Sequence, residues 1–128
     1  MQPEVLITSL FFIFVFLFGF WLNRSGKPYN SVIFNIHKLI GLAMGIFLIV
    51  TVYRVHQMVP FTTFEILAIV MTVLIFVILV AAGGLLSIQA AGDLENASQS
   101  ILGAITAIHK VFPYLAVLAT AGILYLFL

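Results

Sequence analysis

The chain has 128 residues, of which 64% are hydrophobic and 7% charged, with a formal net charge of +1 and no cysteine. Soluble domains carry about 25% charged residues, so this composition indicates that lipid surrounds most of the chain. The small net charge gives no reason to expect a nucleic-acid partner, and none is expected. The absence of cysteine excludes disulfides, thiolate metal sites, iron–sulfur clusters and covalently attached haem.

Four continuously apolar segments follow one another along the chain, at about residues 5–22, 31–55, 64–91 and 99–128. Each reaches the length of about 17–25 residues that a helix needs to cross a bilayer. The first segment is expected to be retained, because the residues before it lack the positive charge of a signal peptide. Turn-forming residues separate the segments, and Ser98 or Asn96 is expected to cap the fourth helix.

The sequence therefore predicts an all-α integral membrane protein, a four-helix bundle built as two similar helical hairpins in a single domain of residues 1–128. Continuous apolar runs favour helices over barrel strands, which alternate in sidedness over about ten residues. Helices also satisfy their backbone hydrogen bonds internally, as lipid requires.

Basic residues predict the orientation of these spans. The first and third loops lie on one side, with Arg24, Lys27, Lys38 and Lys110 near them, whereas Arg54 lies at the other side. The positive-inside rule places these two loops in the cytoplasm and both termini outside. A prokaryotic inner or cell membrane is the expected location.

Two histidines open the second and fourth spans in matched tripeptides, Ile36-His37-Lys38 and Ile108-His109-Lys110. Ionisable groups inside a membrane are costly and mark functional sites. Spans two and four run parallel, so both imidazoles lie near the same membrane surface, about 9 Å into the span for His37 at 1.5 Å per residue. Facing each other in a bundle, His37 and His109 would be the two metal ligands of a haem b. The alternative is that each histidine caps or hydrogen-bonds within the bundle.

Small residues near these histidines leave room for a flat ring. Gly41 lies four residues after His37, Gly45 completes a Gly-x-x-x-Gly pair, and Ala116 lies seven residues after His109. Tight helix packing is the alternative interpretation of the two glycines.

Other polar residues of the spans have two interpretations each. Lys38 and Lys110 are candidate partners of the haem propionates, or lysines that extend to the membrane surface. Pro113 is expected to kink the fourth span. His56, at the far end of span two, is expected to be a solvated interfacial residue, with a quinone contact or a proton path as the alternative.

The segment His37-Lys38-Leu39-Ile40-Gly41-Leu42, which continues apolar to Tyr53-Arg54, resembles the second helix of prokaryotic cytochrome b-561 proteins. Span four, from Ile108-His109, is similar to the fourth helix of that family. The resemblance implies a four-helix membrane electron carrier that exchanges electrons with quinones or partner subunits, with the two histidines as the axial pair of one b haem. The family's second haem is not expected, because span one has no histidine and Thr120 and Ile123 occupy the corresponding stretch of span four.

The leading functional prediction is a one-haem cytochrome b subunit that carries electrons between quinone and a partner in a larger membrane complex, rather than an enzyme on its own. The first alternative is a chlorophyll-binding or structural subunit of a photosynthetic or respiratory complex, with each histidine on its own magnesium. The second is a small transporter or assembly factor, with the histidines in a proton or metal path.

Overall fold

In a computed structural model that describes residues 3–127, the chain forms four α-helices and no strand. They are α1 (Pro3–Ser25), α2 (Ser31–Met58), α3 (Thr63–Ala90) and α4 (Gln99–Phe127). The predicted all-α class is confirmed, and each predicted span coincides with a helix to within one residue or lies inside it. Residue 128, the predicted end of the fourth span, lies outside the described residues.

All four helices are long and apolar enough to cross a bilayer. The shortest has 23 residues and the longest 29, or about 35 and 44 Å at 1.5 Å per residue, against a hydrocarbon core of about 30 Å. Large apolar side chains stand exposed along them, with Phe20 and Leu39 each 64% exposed and Leu118 70% exposed. Apolar surface of this extent is stable in lipid rather than in water, so the chain is a membrane protein.

The chain divides into two compact units between Phe61 and Thr62, and each unit is a helical hairpin. Hairpin 1 packs α1 against α2, and hairpin 2 packs α3 against α4. A glycine with positive φ follows the first helix of each hairpin, Gly26 at 70° and Gly92 at 89°. Glycine adopts this conformation without a Cβ clash and so ends a helix readily, which lets the chain turn back toward the second helix.

Side-chain caps begin α2, α3 and α4. The Asn30 side chain accepts hydrogen bonds from two N–H groups of the first turn of α2, at 3.0 and 3.2 Å. Thr62 and Glu65 form a reciprocal capping box at α3. The Ser98 hydroxyl accepts a bond from Ile101 N–H at 3.3 Å, so Ser98 is the one of the two predicted candidates that caps α4. These caps satisfy N–H groups that have no partner inside the helix.

Buried positions recur in the two hairpins at fixed offsets. Thr8 of α1 and Thr72 of α3 lie 64 residues apart, and both are buried. Met44 of α2 and Ala116 of α4 lie 72 residues apart, and both are buried. Each hairpin therefore packs on equivalent faces of equivalent helices, which supports reading the chain as two copies of one plan.

Candidate functional site

His37 lies six residues into α2 and packs against α1. Its Nδ1 is 3.1 Å from the carbonyl oxygen of Val15. Since a carbonyl oxygen only accepts, Nδ1 carries the hydrogen and donates it. A Cβ placed on Gly19 would stand 3.1 Å from Cε1 of the His37 ring. The imidazole therefore occupies the space that a side chain at position 19 would fill.

Hairpin 2 repeats this arrangement with His109. A Cβ placed on Gly83 would stand 3.0 Å from Cε1 and 3.5 Å from Nδ1 of the His109 ring. The carbonyl of Leu79 interacts with this ring, just as the carbonyl four residues before Gly19 does in hairpin 1. We call these two arrangements the first and second His–Gly contacts.

Helix geometry explains why a glycine stands at this point. Each Cα–Cβ bond of a helix tilts toward the N-terminus, so a side chain covers the turn that precedes it. The carbonyl of Val15 lies one turn before Gly19, and the carbonyl of Leu79 lies one turn before Gly83. Without a Cβ at the glycine, the carbonyl is open to the approaching imidazole. It can accept this bond besides its helical one, because a carbonyl oxygen has two lone pairs.

The two contacts lie at similar depths within their hairpins. Gly19 is six residues before the end of α1 at Ser25, and Gly83 is seven residues before the end of α3 at Ala90. At 1.5 Å per residue, each contact lies about 9–11 Å from the loop end of its first helix. Both histidines therefore pack inside their hairpins rather than at the helix ends.

The other small residues of the predicted site differ from each other in their surroundings. Among residues 3–127, no side chain lies within 4 Å of a Cβ placed on Gly41 or Gly45. Ala116 is completely buried. Their roles beside a porphyrin stay predictions.

The predicted propionate partners both lie on the exposed surface next to their histidines. Lys38 Nζ lies 4.5 Å from the centroid of the Phe34 ring, a cation–π contact. The Phe34 ring in turn stacks on Tyr29, with centroids 5.4 Å apart. This contact holds Lys38 near the loop end of hairpin 1, one residue after His37. Lys110 follows His109 in the same way in hairpin 2.

His56 lies at the other end of α2, as expected, and is exposed. Its ring contacts Phe61, with centroids 4.9 Å apart. Pro113 lies inside α4, and the kink expected from it stays a prediction. Neither residue takes part in the His–Gly contacts.

Gly19 and Gly83 were missed by the sequence analysis, although each touches a predicted ligand. They lie 64 residues apart, as do the buried Thr8 and Thr72, and eleven residues after those threonines. Eleven residues make three helical turns, so threonine and glycine share a face. Comparing the two halves of the chain at this offset shows that the glycine recurs, but only the packing shows that it faces an imidazole.

The arrangement presents two imidazoles that each interact with a backbone carbonyl of the preceding helix, His37 through Nδ1 with Val15 and His109 with Leu79. Within the described part of the chain, residues 3–127, no three His, Asp or Glu side chains gather into a metal-binding group. A metal bound by the histidines would therefore need most of its donors from another molecule. No family model, curated protein or solved structure matches this chain.

Proposed function

We propose that this protein is a membrane-embedded cytochrome b that carries electrons through one b haem, whose iron His37 and His109 would hold. It exchanges electrons with a quinone and with a partner subunit of a larger complex. The first and third loops face the cytoplasm of a prokaryotic cell. Since the two histidines would hold the haem near one membrane surface, a partner would be needed to take electrons across the membrane.

The observation that carries the proposal is the repetition of the His–Gly contact. Two histidines in matched tripeptides are each packed on a glycine of the preceding helix, and the two glycines lie six and seven residues before the ends of α1 and α3. One such contact is adequately explained by packing. Two equivalent contacts, one in each hairpin, supply a matched pair of ligands, which is what an iron with two axial imidazoles requires.

The chemistry of the donors fits a haem. A neutral imidazole that donates from Nδ1 has its lone pair on Nε2, the atom that binds iron. Metal-binding histidines commonly donate their other ring hydrogen to a backbone carbonyl, as His37 does to Val15. A porphyrin would supply the remaining donors, and Gly41 and Gly45 carry no side chain that would obstruct a flat ring.

When bound, haem supplies a one-electron couple whose potential the axial ligands and their hydrogen bonds adjust. The chain's own residues do the rest. The Val15 carbonyl orients the His37 imidazole, and the apolar helices exclude water. Lys38 and Lys110 place positive charge near the loop ends of the hairpins, where it would offset the negative charge of haem propionates.

A visible spectrum of the purified full-length chain tests the proposal. We expect sharp reduced-minus-oxidised bands of a low-spin b haem and about one haem per chain by pyridine haemochrome analysis. A colourless protein that takes up no added haem would refute the proposal. Two haems per chain would contradict the assignment of both histidines to one iron.

A second candidate function is a pigment-binding subunit in which each histidine holds the magnesium of its own chlorophyll. The observation that favours it is that each imidazole has its support inside its own hairpin, so each could act alone. This candidate predicts strong far-red absorption and two pigments per chain. The same spectrum therefore separates the two functions.

A further inference from the structure

We infer that Gly19 and Gly83 are positioning residues that hold His37 and His109 as Nδ1–H tautomers before any cofactor binds. The inference rests on the proposed function for its purpose, since a preset tautomer keeps the lone pair on the iron-binding nitrogen. The tautomers themselves depend only on residues of the protein. The glycine uncovers a carbonyl, and the carbonyl fixes the position of the ring hydrogen.

The first step is the choice of tautomer. In water, a histidine side chain with no constraint favours the Nε2–H form, whose lone pair is on Nδ1. The 3.1 Å contact between His37 Nδ1 and the Val15 carbonyl oxygen reverses this preference. An Nδ1 without a hydrogen and a carbonyl oxygen are both acceptors, so the contact is a hydrogen bond only when Nδ1 carries the hydrogen. In a lipid environment water competes little for these groups, so the bond is stronger than at a wet surface.

Glycine is needed at positions 19 and 83 because each imidazole lies where a side chain would stand. A methyl group at position 19 would stand 3.1 Å from Cε1 of His37, and one at position 83 would stand 3.0 Å from Cε1 of His109. Both distances are shorter than ordinary carbon–carbon contacts of about 3.5–4.0 Å. The ring must then move away by a few tenths of an ångström. A hydrogen bond that already measures 3.1 Å in hairpin 1 would lengthen beyond the favourable range.

The third step is the consequence for a ligand. Partners that orient a metal-binding histidine contribute about 10–100-fold to metal affinity. We therefore expect Gly19→Ala and Gly83→Ala each to weaken haem binding by about that factor. Since both variants keep both imidazoles, the low-spin spectrum should return at high haem concentration. This recovery distinguishes a positioning role from the loss of a ligand.

Gly84 provides the matched control for these substitutions. It is the neighbour of Gly83 on α3, and no atom among residues 3–127 lies within 4 Å of a Cβ placed on it. Gly84→Ala makes the same chemical change in the same helix without touching an imidazole. It should leave both tautomers and the haem affinity unchanged.

The experiment uses the full-length chain, produced without haem, labelled with ¹⁵N at the histidine rings and placed in lipid nanodiscs. Long-range ¹⁵N–¹H NMR at about pH 8.5, where imidazole is neutral, reports which ring nitrogen carries the hydrogen. We expect Nδ1–H for His37 and His109 and predominantly Nε2–H for the exposed His56. Gly19→Ala should change the tautomer of His37 alone, and Gly83→Ala that of His109 alone.

An Nε2–H tautomer for His37 and His109 in the unsubstituted chain would overturn the inference, even if the chain binds haem. An unchanged tautomer in the folded alanine variants would overturn the role of the glycines. Preset tautomers in a chain that binds no added haem would instead support the positioning role and refute the cytochrome proposal. The measurement on the unsubstituted chain decides the tautomer even if a variant fails to fold.

Discussion

A single glycine determines, at the scale of residues, whether a carbonyl inside an apolar helix is open to a second hydrogen bond. In hairpin 1, Gly19 uncovers the carbonyl of Val15, and His37 binds there. Any larger side chain at position 19 would occupy the place of the imidazole. The local energetics of the site therefore depend on a residue that has no functional group of its own.

The two histidines should respond to mutation as one unit. If both imidazoles hold one iron, as proposed, His37→Ala and His109→Ala should each abolish the six-coordinate low-spin spectrum. The double variant should be little worse than either single variant, as expected for residues of one shared site. Optical spectroscopy of the purified variants measures this.

His56→Ala is the matched control, because its ring is exposed and contacts Phe61 instead. It should keep the haem spectrum and at most slow electron exchange with a quinone. An intact spectrum in His37→Ala would rule out the shared iron. Loss of half of the pigment absorbance in each single variant, with additive losses in the double variant, would favour separate pigments.

The histidines could be predicted from sequence because a repeated tripeptide with an ionisable residue stands out in an apolar span. Gly19 and Gly83 could not be chosen in the same way, since glycines are common in membrane helices and only packing shows which one faces an imidazole. The spacing also conceals them: 18 residues separate Gly19 from His37, whereas 26 separate Gly83 from His109. The longer loop and an additional turn at the start of α4 account for most of the difference.

At the scale of elements, the caps determine where each second helix begins and so help to determine the depth of its histidine. Asn30 fixes the start of α2 at Ser31, six residues before His37. Ser98 bonds Ile101 N–H at the start of α4. Both helices were predictable from continuous apolar sequence, but the sequence left Ser98 and Asn96 as candidates for the cap, and the hydrogen bond to the Ser98 hydroxyl separates them.

Replacement of the α2 cap should destabilise hairpin 1. Asn30→Ala removes the acceptor of two N–H groups, and loss of such a cap costs about 1 kcal/mol of stability. The measurement is the loss of helical circular dichroism as the chain in mild detergent is titrated with sodium dodecyl sulfate. Asn96→Ala, in the loop between α3 and α4, is the control, and we expect it to change the free energy of unfolding by no more than about 0.5 kcal/mol. Equal effects of the two substitutions would argue against a capping role for Asn30.

At the scale of the whole molecule, charge is distributed unevenly along the chain. The loop end of hairpin 1 has Arg24, Lys27 and Lys38, whereas the link between the hairpins follows Arg54 alone. In a chain of four spans with few charges, such a bias orients the protein in the membrane. The four membrane-length helices were predictable from hydropathy, but the side on which the loops lie depends on this small number of cations.

A reporter fused after the last residue should therefore lie outside the cytoplasm, and a reporter inserted after Lys27 should lie inside it. Alkaline phosphatase and green fluorescent protein fusions, which are active on opposite sides of the membrane, measure this. Fluorescence from the C-terminal fusion together with phosphatase activity from the loop insertion would reverse the proposed orientation.

Each His–Gly contact closes within one hairpin, over 18 residues in the first and 26 in the second. Contacts between nearby segments form early, because little chain entropy is lost in closing a short loop. The N-terminal hairpin leaves the ribosome first, so His37 can reach Gly19 while α3 and α4 are still being synthesised. In the proposed cytochrome, a haem held by both histidines could bind only after α4 has been made, so His37 would be positioned before the second ligand exists.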